Sequence, residues 1–434
     1  MTPSAHLQSA IDALQLVLAF TSPADAELKR YMKNRRYIGA KDRSEITRRV
    51  YHVLRHKGSL AWWITQGGGT PTPRALALMS LRFEKNMQTD SIAALCDGSD
   101  YAPAPLTANE TRILESTEGK PLAQAAMPDW DRMNYPRWMD AQVKDAFGEH
   151  AEAEMSALHR EATTDIRVNT LHADREAMMK ELQKAGMACE PTLYSPIGLR
   201  LSARLPLHTL PVFKQGWFEI QDEASQLAAQ LAGAKPGQKV IDLCAGAGGK
   251  SLAIAACMKN EGRLLALDTS EPRITECKLR MRRAGVHNGQ TKLIASESDD
   301  FLKRHRDSAD LVVLDVPCTG TGTWRRNPDL LWRYGEKNLE QLRQTQQRIF
   351  AAGAKLVKPG GRLAYLTCSF LNGENEDQVS AFLNTHPAFE IIPVATLWHD
   401  AFGTPCPITQ DALRLSPAAH HCDGFFGCYL QRKS

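Results

Sequence analysis

Two cysteines in this 434-residue chain stand where their side chains could do chemistry. The apolar run LVVLD ends at Asp315 and enters the polar turn VPCTGTGT, which carries Cys318. The run RLAYL enters a second polar turn, TCS, which carries Cys368. If both runs are strands of one parallel sheet, the two thiols emerge at its carboxyl edge, where such sheets bind ligands. A lone cysteine there is usually a small buried hydrophobe, but two in polar turns indicate thiol chemistry with a cysteine nucleophile.

A glycine-rich loop, IDLCAGAGGKS, joins a predicted strand to a predicted helix at residues 241–251. Glycines let the backbone approach a ligand closely, and a helix N-terminus favours an anionic group. A P-loop would need glycine where Cys244 stands, so this interpretation fails on spacing. A dinucleotide fingerprint would need glycine where Ser251 stands, which weakens that interpretation but leaves it open.

The loop form found in methyltransferases is the third interpretation. It has an acid at the end of the strand, here Asp242, and glycines in the turn, here Gly246, Gly248 and Gly249. Asp268 closes the next predicted strand, where a carboxylate can accept hydrogen bonds from both ribose hydroxyls of a cofactor. NAD and S-adenosylmethionine both carry that ribose, so this acid alone does not separate them.

The elements that would position these residues alternate along the C-terminal half. Strand-like runs, separated mostly by helical patterns, lie at 239–244, 263–268, 292–295, 310–315 and 362–368. The alternation predicts a parallel sheet with helices on both faces, an α/β fold of the class I methyltransferase (Rossmann-like) type over residues 216–434. A β-α-β pattern before it predicts a small α+β (RRM-like) module at 151–215.

Residues 1–150 predict a helical domain, because apolar side chains recur at helical spacing and Thr107 and Glu110 form a capping-box pattern. Residues 29–57 hold eleven Lys or Arg against two acids, with tyrosines interleaved. Such a run is usually a solvated helical face, but the aromatic residues favour nucleic acid as a partner.

Net charge, apolar runs and cysteine spacing each bear on the class of protein and on its partners. The net charge of +4 is too small to prove a polyanionic partner. No apolar run is long enough for a membrane span, and residues 10–20 suit an amphipathic helix better than a signal peptide. Ten scattered cysteines without a CxxC pair indicate reduced thiols, so we expect a cytoplasmic protein. The Cys and His residues between 406 and 428 fit no common zinc spacing, and we expect no metal site.

Four segments together resemble the Sun/RsmB family of RNA (cytosine-5) methyltransferases: DLCAGAGGK, LDVPCTGTGTWRRNPD, LTCSFLNGENEDQV and LRLSPAAHHCDGFFGCYL. The resemblance covers residues from about 135 to 434, since IRVNTL and GWFEIQDEASQL also match. The first 60 residues more loosely resemble the helical, NusB-like RNA-binding domain of bacterial RsmB proteins. Each block alone is moderately specific, and all of them in this order are highly specific.

The resemblance implies a reaction for the two cysteines. C5 of cytosine is a poor nucleophile, and addition of a thiolate at C6 makes it enamine-like. The family's nucleophile corresponds to Cys368, while Cys318 would help to remove the C5 proton and release the product. Asp315 would hold the base at N3/N4. The implied substrate is RNA, with 16S rRNA favoured and tRNA as an alternative.

The resemblance also implies S-adenosylmethionine as the cofactor. Its amino-acid part would lie against the loop Cys244, Ala245, Gly246, Ala247, Gly248, Gly249 and Lys250, near Asp315, with its ribose on Asp268. Family members commonly have proline where this chain has Ala247, a change that still permits the turn. Either Glu297 or Asp299 would face the adenine, and Lys250 would either approach the reacting groups or cap the loop.

The roles of two further groups of residues stay open at this point. Arg325 and Arg326, beside Trp324, would either contact the RNA backbone, which we favour because they follow Cys318 closely, or form an exposed basic loop. Glu374, Asn375 and Glu376 would either open a helix or take part in catalysis. We expect a monomer. A catalytically idle RNA-binding assembly factor is the alternative from another class, although such a scaffold would need neither cysteine nor the cofactor loop.

Overall fold

The computed structural model describes residues 1–202 and 206–434. They form two compact units, each built from two stretches of chain. The helical unit comprises residues 1–160 and 324–336, and the α/β unit comprises residues 161–323 and 337–434. Within the described ranges, no helix has both the length and the apolar character that crossing a membrane requires.

Helices of very different length form the first stretch of the helical unit: α1 (Pro3–Val17), α2 (Ala24–Lys33), α3 (Ala40–Gln66), α4 (Pro73–Glu84), α5 (Thr89–Ala93), α6 (Ala108–Ser116), α7 (Asp129–Arg132), α8 (Asp140–Phe147) and α9 (Ala151–Leu158). Leu14, Ile46 and Leu54 are fully buried in its core, as their helical spacing predicts. The predicted capping box is confirmed at α6, where Thr107 and Glu110 each bond the other's backbone N–H.

Helix α3 (Ala40–Gln66) continues well past the apolar residues whose spacing predicts it: Ile46, Val50, Val53 and Leu54. It continues through a break at His56, whose φ of −116° and ψ of 16° are not helical. Just beyond the break, the side chain of Asn134 accepts a hydrogen bond from Ser59 N at 2.8 Å. The ring centroid of His56 lies 4.5 Å from that of His52 and 6.3 Å from that of His159. A cluster of histidines therefore surrounds the break.

The α/β unit begins with a small sheet and its helices: β1 (Thr164–Val168), α10 (Arg175–Lys184), β2 (Cys189–Pro191), β3 (Gly198–Leu201), α11 (Pro211–Lys214) and β4 (Phe218–Ile220). The strands pair antiparallel in the order β2-β3-β1-β4. Met178 and Leu182 of α10 are fully buried in one cluster with Ile166 and Leu199 of the sheet. This α+β arrangement agrees with the predicted fold class.

The remainder of the chain supplies the large sheet and its helices: α12 (Glu223–Leu231), β5 (Lys239–Asp242), α13 (Gly249–Cys257), β6 (Arg263–Asp268), α14 (Glu271–Arg283), β7 (Gly289–Leu293), α15 (Asp300–Lys303), β8 (Ala309–Asp315), α17 (Glu336–Ala354), β9 (Val357–Thr367), α18 (Glu376–Thr385), β10 (Phe389–Ile391), α19 (Val394–Phe402), β11 (Leu413–Leu415), α20 (Pro417–His420) and β12 (Phe425–Arg432). Helix α16 (Leu330–Arg333) lies between β8 and α17 in the chain but belongs to the helical unit. The strand order is β10-β12-β9-β8-β5-β6-β7. The order reverses between β5 and β8, and the loops that follow these strands therefore diverge to form a crevice.

The inner parallel strands β5, β6 and β8 are mainly apolar because both faces of the sheet are buried there. Val240 and Leu311 point into one hydrophobic cluster, whereas the next residues, Ile241 and Val312, point into the cluster on the opposite face. Successive side chains of a strand alternate between faces, and helices cover each face here. The continuous apolar runs in the sequence follow from this double burial.

The large sheet is mixed rather than wholly parallel, which corrects the prediction. Strand β12 runs antiparallel to β9, with Phe426 opposite Thr367 and Gln431 opposite Arg362. Strands β10 and β11 pair antiparallel with β12. The sequence pattern missed these edge strands because β10 and β11 have only three residues each, too few to show a period.

Residues 324–336 pack within the helical unit, although the sequence predicted them as part of the methyltransferase domain. Asp329 accepts a hydrogen bond from Ala24 N at 3.1 Å and so caps the start of α2. Trp332 Nε1 donates to the backbone oxygen of Leu54 at 2.8 Å. These contacts make a segment from the C-terminal half of the chain a structural part of the N-terminal helices.

Candidate active site

A cavity of about 570 Å³ opens at the carboxyl edge of the large sheet. The loops that follow β5, β6, β8 and β9 contribute to its wall, as expected for an α/β sheet. Most of the predicted site residues line it: Cys244, Ala245, Gly246, Ala247, Gly249, Lys250, Asp268, Asp315, Cys318 and Cys368. Gly248 belongs to the same loop but does not line the cavity.

The glycine-rich loop forms a backbone cradle, and two of its glycines, Gly246 and Gly248, are needed for different reasons. Gly246 and Gly248 have φ of 55° and 87°, in the left-handed region that favours glycine. A Cβ on Gly248 would lie 2.7 Å from Cys277 Sγ, so close packing on α14 requires glycine there. Among the described residues, a Cβ on Gly246 would have no neighbour within 4 Å, which leaves open space above the loop. The loop can therefore accept a ligand against its backbone.

Asp268 is held rigidly at the end of β6. Its Oδ2 accepts a hydrogen bond from Gly246 N and its Oδ1 accepts one from Ser270 N, both at 2.8 Å. Each carboxylate oxygen has a second lone pair, so the group can still accept bonds from two hydroxyls. This acceptor set fits the ribose of S-adenosylmethionine.

The two acids considered for contact with the adenine, Glu297 and Asp299, lie in different environments. Glu297 lines the cavity, and its carboxylate accepts a hydrogen bond from Arg348 Nε at 2.7 Å. Asp299 instead caps α15, where it accepts a bond from Phe301 N at 2.8 Å. Glu297 is thus the acid placed to meet an adenine, and that contact stays a prediction.

Asp242 lies buried beneath the loop and outside the cavity wall. Burial, together with the nearby carboxylates of Asp315 and Asp268, raises its pKa to about 7. Its Oδ2 accepts a hydrogen bond from Ser251 Oγ at 2.6 Å. The acid at the end of the strand therefore supports the first turn of α13 from below.

An ion pair lies against the cavity between Lys250 and Asp315. Lys250 Nζ is 2.5 Å from Asp315 Oδ2, and the ammonium also lies 4.9 Å from the centre of the Phe425 ring. The Lys250 side chain is buried, whereas Asp315 is partly exposed to the cavity. The Lys250 side chain thus reaches Asp315 across the cavity edge, and both roles considered for it stay predictions.

Cys318 and Cys368 lie side by side at the cavity, with their Sγ atoms 3.5 Å apart. The neighbouring strands β8 and β9 bring them together, since Asp315 pairs opposite Leu366. A hydrogen bond with Cys368, reinforced by burial, holds the pKa of the Cys318 thiol well above its usual range. Either sulfur can be the donor of this bond, so the two thiols form a mutually hydrogen-bonded pair.

A third cysteine, Cys244, lines the same cavity. Burial raises the pKa of its thiol well above the usual range, and the nearby Asp242 and Asp315 raise it further. Because the thiolate is the reactive form of cysteine, this thiol is a weak nucleophile. Cys244 therefore lies in the loop as part of the cavity wall.

Sequence reasoning missed Gln221 and Ser225, which also line the cavity. Gln221 Nε2 donates to Ser225 Oγ at 2.9 Å, and Gln221 Oε1 accepts a bond from Arg167 Nη1 at 2.5 Å. Arg167, from β1, also donates to the backbone oxygen of Gly249 at 2.8 Å. Their segments, IRVNTL and EIQDEAS, were among the blocks that matched the family, and this match was the signal available in the sequence.

The basic pair predicted to contact RNA is not displayed on the surface as expected. Trp324 is 1% exposed and Arg325 is 6% exposed within the helical unit. The backbone oxygen of Arg325 accepts a hydrogen bond from Arg55 Nη2 at 3.0 Å. Packing of residues 324–336 buries Arg325, so a surface role for this side chain was a wrong expectation, while Arg326 is half-buried.

Comparisons with known proteins agree with this fold and cavity. Residues 229–431 match the family model of the 16S rRNA methyltransferase RsmB/F, and residues 135–208 match that of the RsmF/B-like ferredoxin-like domain. The probable ribosomal RNA small subunit methyltransferase B of Synechocystis sp. is 30% identical over 415 residues, which cover 90% of this chain and 91% of that protein. The chain belongs to the RsmB/F methyltransferase family.

A second rRNA methyltransferase and a solved structure are also similar to this RsmB/F methyltransferase. The ribosomal RNA small subunit methyltransferase B of Citrobacter koseri is 32% identical over 412 residues, 91% of this chain and 92% of that protein. A solved methyltransferase homologue from Pyrococcus horikoshii is 27% identical with a TM-score of 0.60, covering 70% of this chain and 97% of that one. The cofactor is S-adenosylmethionine and the substrate class is RNA.

Proposed function

We propose that this RsmB/F methyltransferase methylates C5 of a cytosine in 16S rRNA through a covalent bond between Cys368 and C6. The 3.5 Å separation of the Cys318 and Cys368 sulfur atoms, at the wall of the cofactor cavity, carries the proposal. The two relatives named as ribosomal RNA small subunit methyltransferase B, matched over nine-tenths of their length, support the choice of RNA.

In the first step, Cys368 adds to the base. Its thiolate forms the S–C6 bond, and the electron pair of the C5–C6 double bond moves to C5. Asp315 holds the N3/N4 edge and stabilises the charge of the adduct, while Lys250 orients the Asp315 carboxylate. S-adenosylmethionine, when bound, would supply the methyl group with which the C5 electron pair forms a bond, and it would leave as the neutral thioether S-adenosylhomocysteine.

In the second step, Cys318 accepts the proton from C5. When Cys368 is bonded to carbon, the thiol pair no longer exists, and with it goes the first cause of the raised pKa of Cys318, while burial still raises that pKa. The Cys318 proton can then pass to solvent, and the resulting thiolate can take the C5 proton. The electron pair of the broken C5–H bond restores the double bond and expels Cys368 as a thiolate, which frees the methylated RNA.

The helical unit would bind the RNA backbone. The segment 29–43 carries a tyrosine that is 69% exposed, Tyr37, and six exposed cations: Lys29, Arg30, Lys33, Arg36, Lys41 and Arg43. Cations beside an exposed aromatic ring are suited to phosphates and unstacked bases. The target cytosine must leave its stack to reach a thiol in a cavity.

Bisulfite sequencing of total cellular RNA, with and without the gene, tests the proposal. Loss of one protected cytosine in 16S rRNA, restored by the wild-type gene but not by a Cys368→Ala gene, is the expected result. Loss of a site in tRNA would retain the chemistry and change the substrate. If no site is lost under any growth condition, and purified protein transfers no labelled methyl group to rRNA, the proposed activity is wrong.

A further inference from the structure

We propose that Glu374 is a positioning residue whose buried carboxylate holds the turns of Cys318 and Cys368 together and so sets the distance between their sulfur atoms. This inference rests on the proposed function of the two cysteines. Glu374 itself does not line the cavity. It would therefore act through the residues that it holds and not by contact with RNA or cofactor.

The carboxylate of Glu374 bonds the residue that follows each cysteine. Thr319, directly after Cys318, donates to Glu374 from its backbone N–H to Oε1 at 2.9 Å and from its hydroxyl to Oε2 at 2.5 Å. Ser369, directly after Cys368, donates its hydroxyl to the same Oε2 at 2.6 Å. One carboxylate thus joins two turns that are 50 positions apart in the chain.

A further donor fixes the residue before Cys318. Gln346 Nε2, from α17, donates to Glu374 Oε1 and to the backbone oxygen of Pro317, both at 3.0 Å. Glu374 therefore accepts hydrogen bonds from four donor groups, which is about the capacity of a carboxylate. The Cys318 turn is held on both sides of its sulfur.

The position of Glu374 excludes the helix-opening role that the sequence left open. Helix α18 begins at Glu376, and the cap residue, Asn375, makes no side-chain capping bond. The Glu374 side chain is 0% exposed and contributes no bond to that helix end. A carboxylate is almost never buried unless its bonds are satisfied, and here the cysteine turns satisfy them.

The neighbouring Asn375 reinforces the turn of Cys368. Its Nδ2 donates to the backbone oxygen of Ser369 at 2.9 Å, and its Oδ1 accepts a bond from Thr367 Oγ1 at 2.6 Å. The residues on either side of Cys368 are thereby fixed, as the residues beside Cys318 are. Thr321 also joins the two turns, since its hydroxyl oxygen lies 3.0 Å from Ser369 Oγ and accepts a bond from Phe370 N at 3.0 Å. The carboxylate of Glu374 differs in that it bonds the residue directly after each cysteine, and it is therefore the contact nearest to both sulfur atoms.

Three variants of the full-length protein separate this role from general stability. Glu374→Leu keeps a similar volume and removes every acceptor. Glu374→Gln is the conservative rescue, because its amide oxygen can accept from Thr319 N and its NH2 group can donate to hydroxyls that rotate. Asp377→Asn removes an exposed acid three residues away and is the matched control. If Glu374→Leu does not fold, the double variant Thr319→Val/Ser369→Ala removes both hydroxyl donors while it leaves the carboxylate in place.

The first readout measures the sulfur atoms directly and needs no RNA. Diamide oxidises two thiols to a disulfide and is itself reduced to the hydrazine. Mass spectrometry of the peptide pair that contains Cys318 and Cys368 then gives the rate of bond formation. We expect wild type, Glu374→Gln and Asp377→Asn to form this disulfide at similar rates, and Glu374→Leu at least about tenfold more slowly. Equal rates in folded Glu374→Leu would overturn the proposal.

The second readout follows the reaction on rRNA. Glu374→Leu should accumulate protein covalently attached to RNA on denaturing gels, because Cys318 no longer lies where it can take the C5 proton. Cofactor affinity should stay at the wild-type value, and Glu374→Gln should release its product. A Glu374→Leu protein that turns over normally contradicts the inference. A wild-type protein that methylates no cytosine would instead refute the proposed function, while the disulfide result would still report on Glu374.

Discussion

Lys250 Nζ lies 2.5 Å from Asp315 Oδ2, and this ion pair joins the cofactor-binding loop to the turn that carries Cys318. The two residues come from loops after β5 and β8, the strands between which the sheet order reverses. The Lys250 side chain therefore determines where the Asp315 carboxylate can point. If Asp315 holds the base as proposed, this ion pair links the cofactor loop to the bound cytosine.

Loss of this ion pair should impair turnover more than cofactor binding. Lys250→Met removes the cation that orients Asp315, so kcat on rRNA should fall by roughly 100-fold, the scale of one lost electrostatic contact in an active site. Lys250→Arg should recover part of this loss. Calorimetry with S-adenosylmethionine should show a smaller change in Kd. The control is Lys278→Met, on the exposed side of α14, and an equal loss of kcat in that variant would contradict the interpretation.

The two cysteines should fail at different steps. Cys368→Ala should abolish both methylation and the covalent complex, because no thiolate remains to add to C6. Cys318→Ala should transfer the methyl group and then stall, leaving protein crosslinked to RNA on a denaturing gel. A crosslink that required Cys318 and survived the loss of Cys368 would reverse the two roles.

Arg167 should influence cofactor affinity although it does not line the cavity. It is buried, burial lowers its pKa to about 10, and it donates to the backbone oxygen of Gly249 in the cofactor loop. Arg167→Met should therefore weaken S-adenosylmethionine binding by about tenfold, equal to the roughly 1.4 kcal/mol of one hydrogen bond. Calorimetry well below the melting temperature measures it, with the exposed Lys180→Met on α10 as the control. Unchanged affinity in a folded Arg167→Met protein would show that this bond does not shape the loop.

The helical unit should lose stability in mild acid. Burial lowers the pKa of His56 to about 4 and that of His52 and His159 to about 3. Below about pH 6.5 the unfolded chain binds protons at these rings while the folded unit does not, so the free energy of unfolding falls as the pH drops toward 4. Each histidine contributes at most about 1.4 kcal/mol per pH unit.

Urea unfolding followed by tryptophan fluorescence measures this pH dependence. Six of the eight tryptophans, Trp62, Trp63, Trp130, Trp138, Trp324 and Trp332, lie in the helical unit and report on it. His159→Gln should make the stability less dependent on pH between 7.5 and 5.5, whereas the exposed His150→Gln should not. Identical slopes in wild type and His159→Gln would mean that His159 is protonated equally in both states.

The sequence predicts those parts of the fold in which a short stretch of residues determines the structure by itself. The alternation of apolar strands and helices follows from a sheet buried on both faces, and the glycine loop follows from two left-handed turns. Cys318 and Cys368 were placed together because both follow parallel strands, and parallel strands end at one edge.

The parts that the sequence does not predict depend on contacts between distant segments. Glu374 resembles any helix-opening acid until the turns that surround it are known, because its donors lie up to 55 positions away. Arg167 likewise shows its role only when β1 packs against the cofactor loop. Trp324 and Arg325 looked like an exposed basic patch, since residue type alone does not show which unit will bury a segment.

The helical unit takes residues 324–336 from the middle of the methyltransferase sequence, a few positions after Cys318. A shortened gene that began near residue 161 would still encode this segment without the helices that cover it. Trp324 and Leu331, both buried in the intact protein, would then face water and favour aggregation. The N-terminal helices are thus not an appendage that truncation or domain exchange can remove cleanly. A minimal enzyme, or a chimera with another RNA-binding domain, would need this segment redesigned together with them.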